Sequence, residues 1–235
     1  MADKLSAVDL SVTIGALVNA VSEDCIDVAE AIALDLSGTR PGARPPQSLP
    51  HLMFRAQTVL SRSGTPLLGM GFVGDNRAFD GRVLHWWYKP EIGASAQPLE
   101  VSTQPAMIDY YDVVNTEWWA AALAGDATEI AGPYVDYSGT NAYILTFARA
   151  VRHGGAVVGV VAADIAVGEL QTRWQHDLLR APKPTSVVNE DGVVIATNSG
   201  RLLGGVVDLG RRRDIVRTRV PGCSWLLIHG PADGR

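Results

Sequence analysis

Eight apolar residues near the N-terminus, Leu10, Ile14, Val18, Val21, Cys25, Val28, Ile32 and Leu36, recur at steps of three and four. That spacing lays them along one stripe of an α-helix. A helix of about thirty residues is roughly 45 Å long, more than one small domain needs. It serves as a spine along two modules or as half of a dimer seam, and its near-heptad register fits both. Gly38 stops it, and the proline-rich break Thr-Arg-Pro-Gly-Ala-Arg-Pro-Pro follows.

Behind this helix the chain reads as two sheet-bearing modules. Pro66–Asp75 is a glycine-interrupted strand and Val83–Lys89 an aromatic one, while Pro90–Pro105 is a polar loop. Helical character returns at Thr116–Ala124. Two strands follow, Ala142–Val151 and Ala156–Ile165, joined by the hairpin signal Arg152-His153-Gly154-Gly155. Gly168–Leu179 reads as a connecting helix. Beyond it Thr185–Asn198 is a strand, a turn at Glu190-Asp191-Gly192 and a strand, and the chain closes on a strand pair turning at Pro221-Gly222. The expected fold class is α+β: a long N-terminal helix over 1–38, a larger ligand-binding antiparallel module over 48–166, and a linking helix with a smaller antiparallel module over 167–235.

Composition narrows the functions. Of 235 residues 47% are apolar and 19% charged, enough for a sizeable core. The net charge of -5 argues against nucleic acid as a partner. The basic run Arg211-Arg212-Arg213 lies beside Asp208 and Asp214 and reads as a solvated turn. No run of about 18 apolar residues is present to span a membrane. The N-terminus has no compact apolar leader segment. The simplest reading is a cytoplasmic protein, although an ectodomain cut from a receptor would look similar. Cys25 falls on the apolar helix stripe, where a buried thiol is expected. A disulfide between Cys25 and Cys223 cannot be read from sequence.

Enzyme signatures are missing: no nucleophile elbow, P-loop, metalloprotease helix or paired-cysteine motif occurs. Gly69-Met70-Gly71-Phe72-Val73-Gly74 matches a dinucleotide fingerprint by letters, but it does not open a helix within a βαβ unit. His51, His85, His153, His176 and His229 are scattered without ligand spacing. No cofactor or metal is implied. Ser138 in Ser138-Gly139-Thr140 has no partner base that can be named.

The aromatic residues and one acid carry the functional signal. Trp86 and Tyr88 share one face of their strand and Trp87 takes the other. Tyr111, Trp118 and Trp119 crowd one short stretch, and Trp118 and Trp119 point about 100° apart on a helix. Asp164 closes the apolar run Ala-Val-Val-Gly-Val-Val-Ala-Ala-Asp-Ile, where a charge is costly unless it meets a cation or strong donors. Aromatic walls with one buried acid suit a small cation or amine. The structural alternatives are core aromatics and an acid serving as a turn or cap.

These features resemble the double Cache sensor domain, a PAS-like ligand-binding fold of bacterial chemoreceptors and kinases. The resemblance rests on Phe-Val-Gly-Asp before the aromatic strand, Gly-Pro-Tyr-Val-Asp-Tyr-Ser-Gly-Thr at 132–140, and the run ending at Asp164. It covers most of the chain. Its amino-acid-binding members carry a tyrosine, an arginine five residues later, tryptophan and tyrosine, then a downstream tyrosine and aspartate. Tyr111, Trp118, Tyr134 and Asp164 match that pattern. Trp119 keeps an aromatic wall, and Thr116 stands where the arginine would grip a ligand carboxylate.

The resemblance implies a non-catalytic sensor binding through Tyr111, Thr116, Trp118, Trp119, Tyr134, Asp136, Asp164, Trp86 and Tyr88. Three explanations fit the missing clamp. The ligand is an amine without a carboxylate, another arginine (Arg77, Arg82 or Arg149) takes the grip, or the pocket binds something unrelated. The first is favoured. Implied partners are an amine or amino-acid-like ligand, a second copy through the N-terminal helix, and a separate signalling protein. An acid–base enzyme around Asp164, Asp136 and Tyr134, or a dimerising protein with a vestigial pocket, are the alternatives.

Overall fold

Helix α1 (Ala7–Asp35) carries the first seven residues of the foreseen stripe and Leu36 follows directly after it; all eight are buried, Val21 being the most exposed at 2%. Ser6 caps its start: the hydroxyl accepts the Asp9 N–H at 3.1 Å and donates to the Asp9 carboxylate at 2.6 Å. The last helical residue, Asp35, accepts the N–H groups of His51 and Leu52 at 3.1 and 2.9 Å. It thereby caps α2 (Pro50–Ser61), which has no side-chain cap of its own. The computed structural model describes residues 5–40, 43, 48–79, 83–91, 93–102, 106–107, 110–181, 184–199, 203–211 and 214–230. The chain divides into two compact units, Met1–Ala20 with Val167–Arg235 and Val21–Ala166.

The unit of residues 21–166 holds an antiparallel sheet of β1 (Leu67–Gly74), β2 (Leu84–Tyr88), β3 (Gln97–Pro98), β4 (Glu129–Val135), β5 (Tyr143–His153) and β6 (Ala156–Ala166), ordered β3-β2-β1-β6-β5-β4. The β5–β6 hairpin turns on Gly154 and Gly155, both at positive φ (59° and 83°). Helix α2 packs on β1 and β2, next to His85 and Trp87. Helix α3 (Glu117–Ala124) packs on β4, β5 and β6. The sheet is therefore covered on one face by α2 and on the other by α3.

Two of these strands were not expected. The two-residue β3 lies inside the stretch read as a loop. Strand β4, in a stretch to which no element was assigned, contains Gly132-Pro133. It occupies the sheet edge, where a residue without an N–H is tolerated, and its register shifts between Ala131 and Tyr134.

The other unit contains α4 (Val167–Arg180) and a sheet of β7 (Thr185–Val188), β8 (Val194–Thr197), β9 (Val216–Arg219) and β10 (Leu226–His229), ordered β8-β7-β10-β9. Gln171 of α4 clamps β8, accepting the Thr197 N–H at 2.7 Å and donating to its carbonyl at 3.1 Å. Val188, Val194, Val207, Ile215 and Ile228 form an aliphatic core, and Trp174 meets Trp225 edge-on at 6.4 Å. The expected class, a long N-terminal helix followed by two antiparallel sheets, is the observed one. Cys25 and Cys223 are free thiols. Arg212 and Arg213 lie outside the described residues, while Arg211 pairs with Asp208 at 3.4 Å.

Candidate functional site

The six-stranded sheet builds its α3-facing surface from very small residues. Antiparallel register sets Gly71 beside Trp86 on one side and Ala162 on the other, with Ala148 beyond. The neighbouring row runs Tyr88, Gly69, Asp164, Thr146 and Ala131. Directly paired residues point to one face, so glycine and alanine make a low floor carrying one acid. The glycines are sterically required. A Cβ on Gly71 would collide with the His85 carbonyl and lie 2.7 Å from Trp86 Cα. A Cβ on Gly69 would lie 2.8 Å from Trp86 Nε1. The letters that imitate a dinucleotide fingerprint thus serve a strand over which an indole lies flat.

Around the floor stand the expected aromatics. Trp86, Trp118 and Trp119 are buried in one cluster, with Tyr88, Tyr111 and Tyr134 packed against it. Trp118 and Trp119 are perpendicular, 6.1 Å apart. Trp87 takes the opposite sheet face, stacked on His85 at 6.5 Å.

Asp164 is 4% exposed. Its Oδ1 accepts the Thr146 hydroxyl at 2.8 Å, and Thr146 Oγ1 lies 2.6 Å from the Tyr134 hydroxyl. Thr146 spends its proton on the acid, so Tyr134 donates to Thr146 and the three form a relay. Burial pushes the Asp164 carboxyl up to about 8, the Thr146 bond opposes this, and nearby Asp136 raises it further. Burial also raises the Tyr111 and Tyr134 phenols, and the two carboxylates add to it. Asp136 is buried as well; its Oδ2 accepts the Thr140 N–H at 2.7 Å and hydroxyl at 3.2 Å, closing the 136–141 turn. A further polar atom belongs to this cluster. Trp86 Nε1 is buried without a hydrogen-bond partner.

Residues 86–172 match the family model described as methyl-accepting chemotaxis protein-like, first PDC sensor domain. The fold is similar to the ligand-binding domain of the Pseudomonas fluorescens chemoreceptor CtaA in complex with L-valine, at 15% identity and TM-score 0.64 over 96% of this chain and 94% of that one. It is similar to the extracellular domain of the putative histidine kinase mmHK1S-Z3, at 13% identity and TM-score 0.64 over 94% and 90%. It also matches the ligand-binding domain of the Pseudomonas aeruginosa PAO1 amino acid chemoreceptor PctC in complex with GABA, at 19% identity and TM-score 0.56 over 93% and 94%. This is the double Cache fold.

Within the double Cache frame, the residue at the arginine position has a structural task. Thr116 is the N-cap of α3: its hydroxyl donates to the Val113 carbonyl at 2.6 Å and accepts the Trp119 N–H at 3.3 Å. Two of the substitute arginines are directed elsewhere. Arg77 forks onto Asp75 with a closest contact of 2.7 Å, its bonds holding that carboxyl below the usual range. Arg149 follows Ala148 on β5, so it projects from the opposite face, and it lines a cavity with Ile26, Ala29 and Glu30 of α1. Arg82 lies outside the described residues.

Sequence reasoning missed two features. Thr146 looks like an ordinary strand residue, and only pairing across to Asp164 shows its role. A separate cavity of about 470 Å³, lined by Leu36, Arg40, Asp75, Arg77, Phe79 and His153 among others, gave no signal beyond the Gly-Asp-Asn-Arg turn. Arg77 there is already committed to Asp75, and the unpartnered buried side-chain atoms among the described residues lie elsewhere. The aromatic cluster is the stronger candidate. No helix among the described residues is long and apolar enough to cross a membrane.

Proposed function

We propose that this chain is a sensor domain that holds a small amine-bearing metabolite over the floor of its six-stranded sheet and hands the bound state to a separate signalling partner. The observation that carries this reading is Asp164, a buried acid on a glycine–alanine floor inside a ring of tryptophans and tyrosines. A ligand ammonium would ionise Asp164 and gain a charge-assisted bond, while the indoles add cation–π attraction of about 0.5–2 kcal/mol each. L-valine and GABA, the ligands of the CtaA and PctC domains, both carry an amine, which supports the same chemistry here. Tyr111, Tyr134, Trp118, Trp119, Trp86 and Tyr88 form the walls, with Asp136 as the second acid. Thr116 shapes the site through its cap. The histidine-kinase neighbour is an extracellular domain, a reason to prefer an extracytoplasmic placement over the cytoplasmic one.

A thermal-shift screen over amines, amino acids and amine-free carboxylates tests this. A ligand at a hundred times its Kd adds about 2.7 kcal/mol of stability. Amine hits that vanish in Asp164→Asn support the reading, and hits confined to amine-free carboxylates sink it. Mass spectrometry of the recovered ligand separates a sensor, which returns it unchanged, from an enzyme.

A further inference from the structure

Trp86 pairs with Gly71 across the β1–β2 ladder, and its indole reaches along the strand to cover Gly69. It is 8% exposed, more than nine-tenths buried, yet its Nε1–H meets no acceptor. Tryptophan N–H groups buried to this degree normally find one. Gly69 is in turn the register partner of Asp164. Paired Cβ positions lie about 5 Å apart, so Nε1, 2.8 Å from the Gly69 position, is within roughly 8 Å of Asp164 Cβ. A ligand group seated between donor and acid would meet both.

The chemistry of that group is constrained from both sides. An ammonium has three donors and no acceptor, so it can satisfy Asp164 but not the indole. A carboxylate could accept from the indole, but it would bring a further negative charge beside Asp164 and Asp136 with no guanidinium at position 116 to offset it. A neutral oxygen has neither defect, and a hydroxyl could also donate onward to Asp164.

We infer that Trp86 Nε1 is the specificity donor of this site, selecting small amines that carry a neutral oxygen, a hydroxyl or an amide carbonyl, a few bonds from the ammonium. The inference rests on the amine reading above. The probes are a short series of ω-amino alcohols, the n-alkylamines with methyl in place of hydroxyl, and the ω-amino acids, titrated calorimetrically against the whole chain. The amino alcohols should bind at least about tenfold more tightly than their alkylamine isosteres, because the alkylamines leave a buried donor unpaired. In Trp86→Phe that ratio should collapse toward one. If Trp86→Phe does not fold, benzothienylalanine at position 86 keeps the ring shape without the donor. Equal binding of alcohols and alkylamines, tightest binding by the amino acids, or a ratio that survives loss of the indole N–H would each overturn the inference while leaving the amine reading standing. If no amine of any series binds, the amine reading falls and this inference with it.

Discussion

The two sheets treat buried polar groups in opposite ways. In the four-stranded sheet the hydroxyls close on their neighbours: Thr185 Oγ1 meets His229 Nδ1 at 2.8 Å, Ser186 Oγ meets Thr197 Oγ1 at 2.8 Å, and Asn189 Oδ1 accepts two backbone N–H groups. Aliphatic side chains fill what remains. In the six-stranded sheet the floor is glycine and alanine, an acid is held by a hydroxyl relay, and an indole N–H is left open. Closed polar pairs with large side chains make a core. Small side chains with unmet polar demand are what the proposed ligand site calls for.

Opposite substitutions should therefore damage the two sheets, and these are the largest effects expected. Gly71→Ala forces a Cβ into the backbone of β2 and should cost about 3 kcal/mol or more, because backbone cannot yield as a side-chain tip can. Ile228→Ala empties part of the aliphatic core and should cost a similar 2–5 kcal/mol or so through the cavity left behind. Chemical denaturation of both variants checks the pair. A tolerant Gly71 would mean that the floor is not as tight as its geometry indicates.

Next comes Asp164→Asn. The amide keeps the shape and still accepts from Thr146, but it cannot ionise against an ammonium. Amine affinity should fall about a hundredfold, within the range for losing one partner of a buried charged pair, with little loss of stability at neutral pH. Ser186→Ala in the other sheet is the matched control: it should lower stability by about 1 kcal/mol and leave affinity unchanged.

Asp164 also sets a pH dependence. Its folded-state value of about 8 lies above the ordinary value of about 4. The folded chain therefore binds the proton more tightly than the unfolded chain. The stability linked to this group is present below about pH 4 and is lost as pH rises toward 8, by at most about 1.4 kcal/mol per unit. The difference between the original chain and Asp164→Asn isolates it. Amine binding runs the other way, since it needs the carboxylate: affinity should rise about tenfold per unit up to pH 8, with one proton released, visible as buffer-dependent binding enthalpy. A flat profile would mean that Asp164 is already ionised or not at the ligand.

Part of this architecture is legible in the sequence. The stripe from Leu10 to Leu36 was readable because helical periodicity and burial repeat the same message eight times over. Asp164 stood out because an acid in an apolar strand has few structural excuses. Trp86, Trp87 and Tyr88 sorted onto their faces by alternation alone. Three things were hidden. Strand β4 was masked by Gly132-Pro133, since local chemistry cannot reveal that a strand will lie at a sheet edge. The Thr146–Asp164 contact depends on register between two strands. The unmet Trp86 N–H appears only once its neighbours are known to offer no acceptor.

Thr116 gives the smallest effect and the sharpest test of what a single position means. From sequence it looked like a ligand contact that had lost its charge. In the structure its hydroxyl bridges the Val113 carbonyl and the Trp119 N–H, starting the helix that carries Trp118 and Trp119. Thr116→Ala should cost about 1 kcal/mol of stability, and Thr116→Ser should restore most of it, because only the hydroxyl is needed for the cap. Affinity should follow only as far as the tryptophans loosen. Thr116→Arg should lose the same cap, so a gain in amino-acid binding would have to appear on a destabilised helix. If Thr116→Ala instead weakens ligand binding more than it lowers the melting temperature, position 116 touches the ligand directly and the cap is incidental.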